Sequence, residues 1–344
     1  MHQPPTPPRP RPLPSGGLSR RGLLGAAAGT AALFGLAACG SGGSSGGSSG
    51  GAAASAKSSG AATRLVDSTK GKIRVPDQPK RVVALNDFPM GAMFDLGITP
   101  IGVFNAGEQY VAKPYLDRWR PIAKVSDGVG GAIQVEKVAA LEPDLILAID
   151  AQSDLPYAQL TKLAPTVVLP FSKSKAPWRD MADATAEVLG VPTALDALKK
   201  RYSERTAGIK QQYAEQLARY RWDLLQGGFD EGQWWLYGTG SPIGGILADA
   251  GARFATASGR GIVQESVSYE LVGSRLADAD AIFYYTTNDG QPANLGPKLF
   301  AQKSFQRLPA AREHRLFGSV AFLPAGYSEA LMALDDFESA LKQL

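Results

Sequence analysis

Few side chains in this sequence could make or break a covalent bond. There is one cysteine, Cys39, and there are two histidines, His2 and His314, so neither an internal disulfide nor a multi-histidine zinc cage can form. A hydrolase would want a serine in a Gly-x-Ser-x-Gly elbow with a histidine beside it. Outside the repetitive Gly/Ser tract before Thr63 the elbow is absent, and His314 alone cannot serve two proton-transfer roles. The stretch "GTGSPIGG", residues 238–245, imitates a phosphate-cradling glycine loop but lacks the Lys-Ser/Thr ending. Ser241 followed by Pro242 reads instead as a helix start. The chemistry on offer is that of binding, and no catalytic residue is expected.

The cysteine sits where a lipid would claim it. Residues 1–18 are rich in Pro and Arg, Ser19 precedes Arg20–Arg21, and "LLGAAAGTAALFGLAA" is too short to span a bilayer comfortably. The arginine pair resembles a twin-arginine export signal, and Leu36-Ala37-Ala38-Cys39 resembles the lipobox of bacterial lipoproteins, cut before an acylated thiol. Residues 1–38 would then be the signal peptide, and Cys39 the lipidated first residue of a protein held on the extracytoplasmic side of the cell membrane. Residues 39–62, the anchor and a Gly/Ser-rich linker, would form a coil of about 25 Å root-mean-square length. An exported, lipid-anchored hydrolase is the competing class, and it would have to work without a thiol.

The formal charge of +4 comes from the leader: Arg9, Arg11, Arg20 and Arg21 all precede Cys39, and the chain from Cys39 onward holds 32 basic and 32 acidic residues. A neutral body argues against nucleic acid as a partner. A length of 344 residues with 44% hydrophobic content favours two lobes over one.

From Thr63 onward, apolar β-rich runs alternate with helical pattern, which predicts an α/β fold with parallel sheet. "KRVVALN" (80–86) and "TPIGVFN" (99–105) read as strands around the helix "PMGAMFDLG" (89–97). "VEKVAALEPDLILAID" (135–150) reads as a helix, a break at Pro143 and a buried strand, and "LTKLAPTVVLPF" (160–171) repeats that arrangement. Residues 178–220 then hold no strand. Leu195, Leu198, Tyr202, Ile209, Tyr213 and Leu217 make one helical stripe, predicting a single helix over Thr193–Leu217 of roughly 37 Å. Alternation resumes through "RWDLLQGGF" (221–229), "QWWLYG" (233–238) and "VSYELVGSRLADADAIFYYT" (267–286) to a terminal helix over 328–344. The expected architecture is an N-terminal α/β lobe (63–192), a linking helix (193–218) and a C-terminal α/β lobe (219–344).

In their order and spacing, "KRVVALNDFPMGAMFDLGITPIGV", "VEKVAALEPDLILAID" and "VSYELVGSRLADADAIF", together with the leader, resemble the helical-linker (class III) substrate-binding lipoproteins of ABC importers. These proteins deliver ferric siderophores, haem or cobalamin. The resemblance covers about residues 70–344. It implies a monomer without enzymatic activity or cofactor, a ligand cleft between the lobes, and an ABC permease with its ATPase as partners. The implied ligand is a preformed metal chelate, an Fe(III)-siderophore complex, whose oxygens already fill the iron sphere, so no protein metal ligand is expected. It also implies a permease-docking glutamate on the tip of each lobe, by position Glu136 in "VEK" and Glu270 in "SYEL", since carboxylates accept an arginine fork bidentately.

Ligands of open α/β sheets bind at the carboxyl ends of strands. The candidates there are Asn86, Tyr110, Trp178, Trp235, Tyr237, Arg260 and Tyr285, aromatic faces with an arginine donor to suit an apolar-edged chelate. Alternation along "QWWLYG" places Trp235 and Tyr237 on one face, Trp234 and Leu236 on the other, and one of these faces is expected to be core. The arginine that some hydroxamate-binding relatives carry just before the first-lobe glutamate is missing from "GVGGAIQVE", which leaves the hydroxamate class open. Haem would need a tyrosine as its axial ligand, because His314 lies in the surface-like "REHRLF". Cobalamin needs no protein ligand and is the runner-up.

Overall fold

The structure, a computed structural model, describes residues 62–152, 154–174 and 177–344. The expected twin-arginine leader, the expected lipidation site Cys39 and the Gly/Ser-rich tract up to residue 61 lie outside the described residues.

The described chain opens with an antiparallel hairpin, β1 (Thr63–Ser68) and β2 (Gly71–Pro76). Val66 and Val75 are buried beneath it, and the Ser68 hydroxyl and the Thr69 amide both bond to Val168 at the edge of the first lobe. That lobe is built on five parallel strands: β3 (Val82–Ala84), β4 (Gly102–Val103), β5 (Ala123–Lys124), β6 (Leu145–Ile149) and β7 (Thr166–Leu169). Their order is β5-β4-β3-β6-β7, so the winding reverses between β3 and β6. A crevice opens at such a reversal, outside the carboxyl ends of the strands. Every residue of β6 and β7 is buried, as the apolar runs require of strands covered on both faces.

The second sheet has β8 (Arg221–Gly227), β9 (Gln233–Tyr237), β10 (Arg253–Phe254), β11 (Gln264–Ser268), β12 (Ala281–Tyr285) and β13 (Leu316–Ser319). The path runs β11-β9-β8-β12-β13, with β10 paired to the start of β8. β9 and β11 run antiparallel to their neighbours, and the remaining pairings are parallel.

Between the sheets the stripe of Leu195, Tyr202, Ile209, Tyr213 and Leu217 is buried, but the helix that carries it is not continuous. It runs over Asp196–Gln212, about 26 Å, and resumes at Ala214–Arg219 after Tyr213 leaves helical geometry at φ −113°, ψ 29°. The Tyr213 amide still bonds to Ile209 and its carbonyl still accepts from Leu217, so the interruption is shallow. The cause is tertiary: the buried Tyr213 ring sends its hydroxyl to Glu338 of the terminal helix, Tyr327–Leu341, at 2.9 Å. Arg205 ties the same two helices by pairing with Asp335 and Glu338.

The lobes meet along a packed seam. One hydrophobic cluster takes in Ala92 of the first lobe, Trp178 and Ala182 of the helix Pro177–Val188, the linking stripe and the terminal helix. A Cβ on Gly91 would sit 2.7 Å from the Ala325 Cβ, so only glycine lets the helix Asp87–Asp95 approach the opposite lobe this closely. The terminal helix has Gly326 at its N-cap and no capping side chain of its own. Asp95 supplies one from the other lobe, accepting from the amides of Tyr327 at 2.5 Å and Ser328 at 3.2 Å.

Candidate functional site

A cavity of about 260 Å3 lies between the lobes. The first lobe contributes Asp87 just past β3, Phe104 just past β4, and Tyr110 and Val129 from the loops that follow β4 and β5; the second contributes Gln226 and Phe229 around the end of β8, Tyr285 at the end of β12, and Glu329. The first-lobe wall forms because the strand ending "VVALN" turns straight into a helix. Asn86 is that helix's N-cap, its Oδ1 accepting from the Phe88 amide at 3.0 Å, so Asp87 is set in the first turn at the crevice.

Tyr110 of the first lobe and Tyr285 of the second stack on each other at the cavity wall, with ring centroids 5.6 Å apart. The Tyr110 hydroxyl donates to Asn294 Oδ1 at 2.5 Å, and Asn294 holds a left-handed backbone, φ 55°, that asparagine tolerates. Nearby, Asn288 of the second lobe donates from its side chain to the carbonyls of Glu108 and Val111 and from its amide to Gln109. Together these bonds clamp residues 108–111 against the opposite lobe. Phe229, Val129 and Leu323 keep much of their surface in water at the cavity rim, an unusual place for such side chains unless something apolar covers them.

The only ionisable carboxyls on the described cavity wall are Asp87 and Glu329. Burial pushes Asp87 up to about 6, and its Oδ1 has no hydrogen-bond partner. Burial likewise pushes Glu329 up to about 7, with the neighbouring charges of Asp87 and Asp95 adding to the effect; the Ala325 amide, 2.7 Å from Glu329 Oε2, works against it. Burial also drives the Tyr285 phenol well above its ordinary value. Among the described residues no lysine or arginine lines this cavity.

Residues 82–319 match the family model described as periplasmic binding protein. The chain belongs to this family. A putative ABC transporter substrate-binding lipoprotein of Bacillus subtilis, YhfQ, is 34% identical over 41% of this chain and 44% of its own, so the match spans less than half of that relative. The iron(3+)-hydroxamate-binding protein YxeB of the same organism is 24% identical over 74% of this chain and 77% of its own. The solved siderophore periplasmic binding protein from the fuscachelin gene cluster of Thermobifida fusca has 28% identity and a TM-score of 0.67, covering 78% of this chain and 99% of that one. The two-lobed α/β fold is thus that of the siderophore-binding members of the periplasmic binding proteins.

Within the periplasmic binding protein fold the sequence candidates separate. Tyr110 and Tyr285 are on the cavity wall, while Asn86 lines an adjoining hollow with Phe104 and Gly130. Tyr237 stands one layer behind, its hydroxyl donating to Gln226 Oε1 at 2.8 Å. The other three lie elsewhere. Trp178 is 2% exposed and wedged edge-on between Tyr202 and Tyr327, where three helices meet. Trp235 is half-buried on β9, packed against the main core. Arg260 is held by Glu265 and by the Ala257 carbonyl, so its charge is spent on the loop that carries it. The expectation that one face of "QWWLYG" is core was too narrow: Trp234 and Leu236 enter one cluster, Trp235 and Tyr237 the other, because the second sheet is covered on both sides.

Asp87, Phe229, Asn294 and Glu329 were not among the candidates. Phe229, an aromatic residue just past the end of β8, was within reach of the strand-end rule; Glu329 carried no such signal, since it begins a helix. His314 is exposed and outside the cavity. Glu136, in the first turn of the helix Val135–Ala140, and Glu270, in the turn Tyr269–Leu271, are both exposed, one on each lobe. Among the described residues neither is paired with a lysine or arginine.

Proposed function

We propose that this chain captures a ferric siderophore outside the cytoplasmic membrane and hands it to the permease and ATPase of an ABC importer. The observation that carries the reading is the cavity: aromatic and apolar groups from both lobes converge at the carboxyl ends of the strands around a stacked tyrosine pair. Periplasmic binding protein membership and the siderophore-binding relatives support it. In this reading the protein is a carrier and not an enzyme. It works as a monomer, tethered through a lipid on Cys39, and Glu136 and Glu270 present unpaired carboxylates to arginines of the permease.

Tyr110, Tyr285 and Phe229 hold the chelate by its apolar edges, while the iron stays within its own oxygen shell. Binding is read by intrinsic fluorescence, since a ferric chelate in the cleft absorbs emission from nearby tryptophans. Titration with a ferric trihydroxamate is expected to quench saturably at sub-micromolar concentration, and Tyr110→Ala with Tyr285→Ala to weaken that binding at least about tenfold, roughly 1.4 kcal/mol. Quenching that matches free tryptophan in the same solutions would remove the reading.

A further inference from the structure

Any ferric chelate that enters this cleft meets two carboxyls and no cation. Asp87 and Glu329 line the same cavity from opposite lobes. Asp87 Oδ1 is buried without a donor, and Glu329 Oε2 has only the Ala325 amide. The rest of the wall offers apolar side chains and neutral polar groups such as Gln226 and Asn294. Arg260, the cation the strand-end rule placed here, is engaged with Glu265. Arg118 sits one layer back, over the Phe94 ring at 4.5 Å, where its guanidinium donates to the Phe94 carbonyl at 3.1 Å.

The net charge of a ferric chelate follows from its ligand groups. Three hydroxamates carry one negative charge each and cancel Fe(III), giving a neutral complex; three catecholates carry two each and leave three negative charges; citrate complexes are also anionic. In a site shielded from water, like charges repel far more strongly than in bulk solvent. A polyanionic chelate would enter this cavity only with both carboxyls protonated, whereas a neutral chelate enters without that cost. A chelate with a pendant ammonium would supply the donor that Asp87 lacks.

We propose that this cleft selects its siderophore by charge: it takes a ferric trihydroxamate, best one bearing a primary ammonium that Asp87 and Glu329 hold, and it rejects polyanionic catecholate and citrate complexes. The proposal deepens the ferric-siderophore reading given above and depends on it.

It also fixes a pH signature. The groups facing the two carboxyls are the phenols of Tyr110, Tyr115 and Tyr285, the carboxyl of Asp95 and, behind Phe94, Arg118. The raised carboxyls protonate on mild acidification, so the ammonium chelate loses its acceptors as pH falls from about 8 to about 5, while a neutral chelate loses none.

The test compares three probes on the full-length protein: a linear ferric trihydroxamate with one free amine, the same chelate with that amine acetylated, and a ferric tris-catecholate. The amine form is expected to bind about tenfold more tightly than the acetylated form at about pH 8, and the tris-catecholate at least about a hundredfold more weakly than either. In Asp87→Asn with Glu329→Gln, checked for folding by its thermal transition, the ratio of amine to acetylated affinity falls to about one. In the parent protein that ratio shrinks on acidification. Equal binding of the two trihydroxamates, or a tris-catecholate that binds as well as they do, would overturn selection by charge while leaving the siderophore reading intact. Failure of all three probes to bind would overturn both.

Discussion

Asp87 and Glu329 are placed where a carboxylate is comfortable in one respect and costly in another. Each lies in the first turn of its helix, which favours negative charge, yet burial outweighs the helix and raises both, to about 6 and about 7. Asp223, buried on β8, is also raised to about 6 by burial. A carboxyl raised on folding binds its proton more tightly in the folded than in the unfolded chain. The stability it contributes is therefore full below its unfolded value near 4 and is lost as pH rises through 6 to 7. Glu338, which Arg205 holds below its ordinary value, has the opposite sign but titrates below this window. The ligand-free protein is thus expected to melt several degrees higher at about pH 5.5 than at about pH 8, and Asp87→Asn with Glu329→Gln to narrow that difference. Differential scanning calorimetry decides; a melting temperature that rises with pH across this interval would contradict the account.

Among the described elements, the terminal helix takes the cap for its start from the other lobe. Asp95→Ala removes the acceptor for the Tyr327 and Ser328 amides, an N-cap loss worth about 1–2 kcal/mol, and it should appear as a lower urea midpoint and faster amide exchange at residues 327 and 328. An unchanged midpoint would mean that water or Gly326 suffices as a cap. Much of the element pattern was legible in advance. "DLILAID" and "TVVLPF" read as buried strands because a two-faced sheet demands unbroken apolar runs. What escaped had tertiary causes. The interruption at Tyr213 answers to Glu338, far along the chain, and contains no glycine or proline to announce it. The hairpin Thr63–Pro76 leaves little apolar pattern in the sequence, since only Val66 and Val75 in it are buried. Trp178 and Trp235 carry the same side chain as a ligand contact would, and period-two alternation says which residues share a face but not what covers it. Asp87 and Glu329 become neighbours only through the docking of the two lobes, which no local pattern records.

Among the described residues the two larger sheets are held by one seam, with the cavity on the line where their lobes meet. Glu136 and Glu270 stand on different lobes, so a permease that reads both reads the relation between the lobes as well as two charges. Each exposed ion pair alone is worth about 0–1 kcal/mol; two on one firm body fix orientation. Glu136→Ala with Glu270→Ala is expected to abolish uptake of iron from a ferric siderophore by cells while leaving the affinity of the purified protein for that chelate within about twofold of the parent. Import at the parental rate in the double variant would remove the docking role.

The borrowed cap on the terminal helix bears on how the protein is made. Residues 327–341 leave the ribosome long after Asp95, which lies 232 residues before Tyr327, and the Asp95 carboxylate has no amides to accept from until they arrive. The first-made half of the cleft is therefore completed only by this later helix, and a nascent polypeptide cannot display the finished cavity wall before Glu329 has emerged.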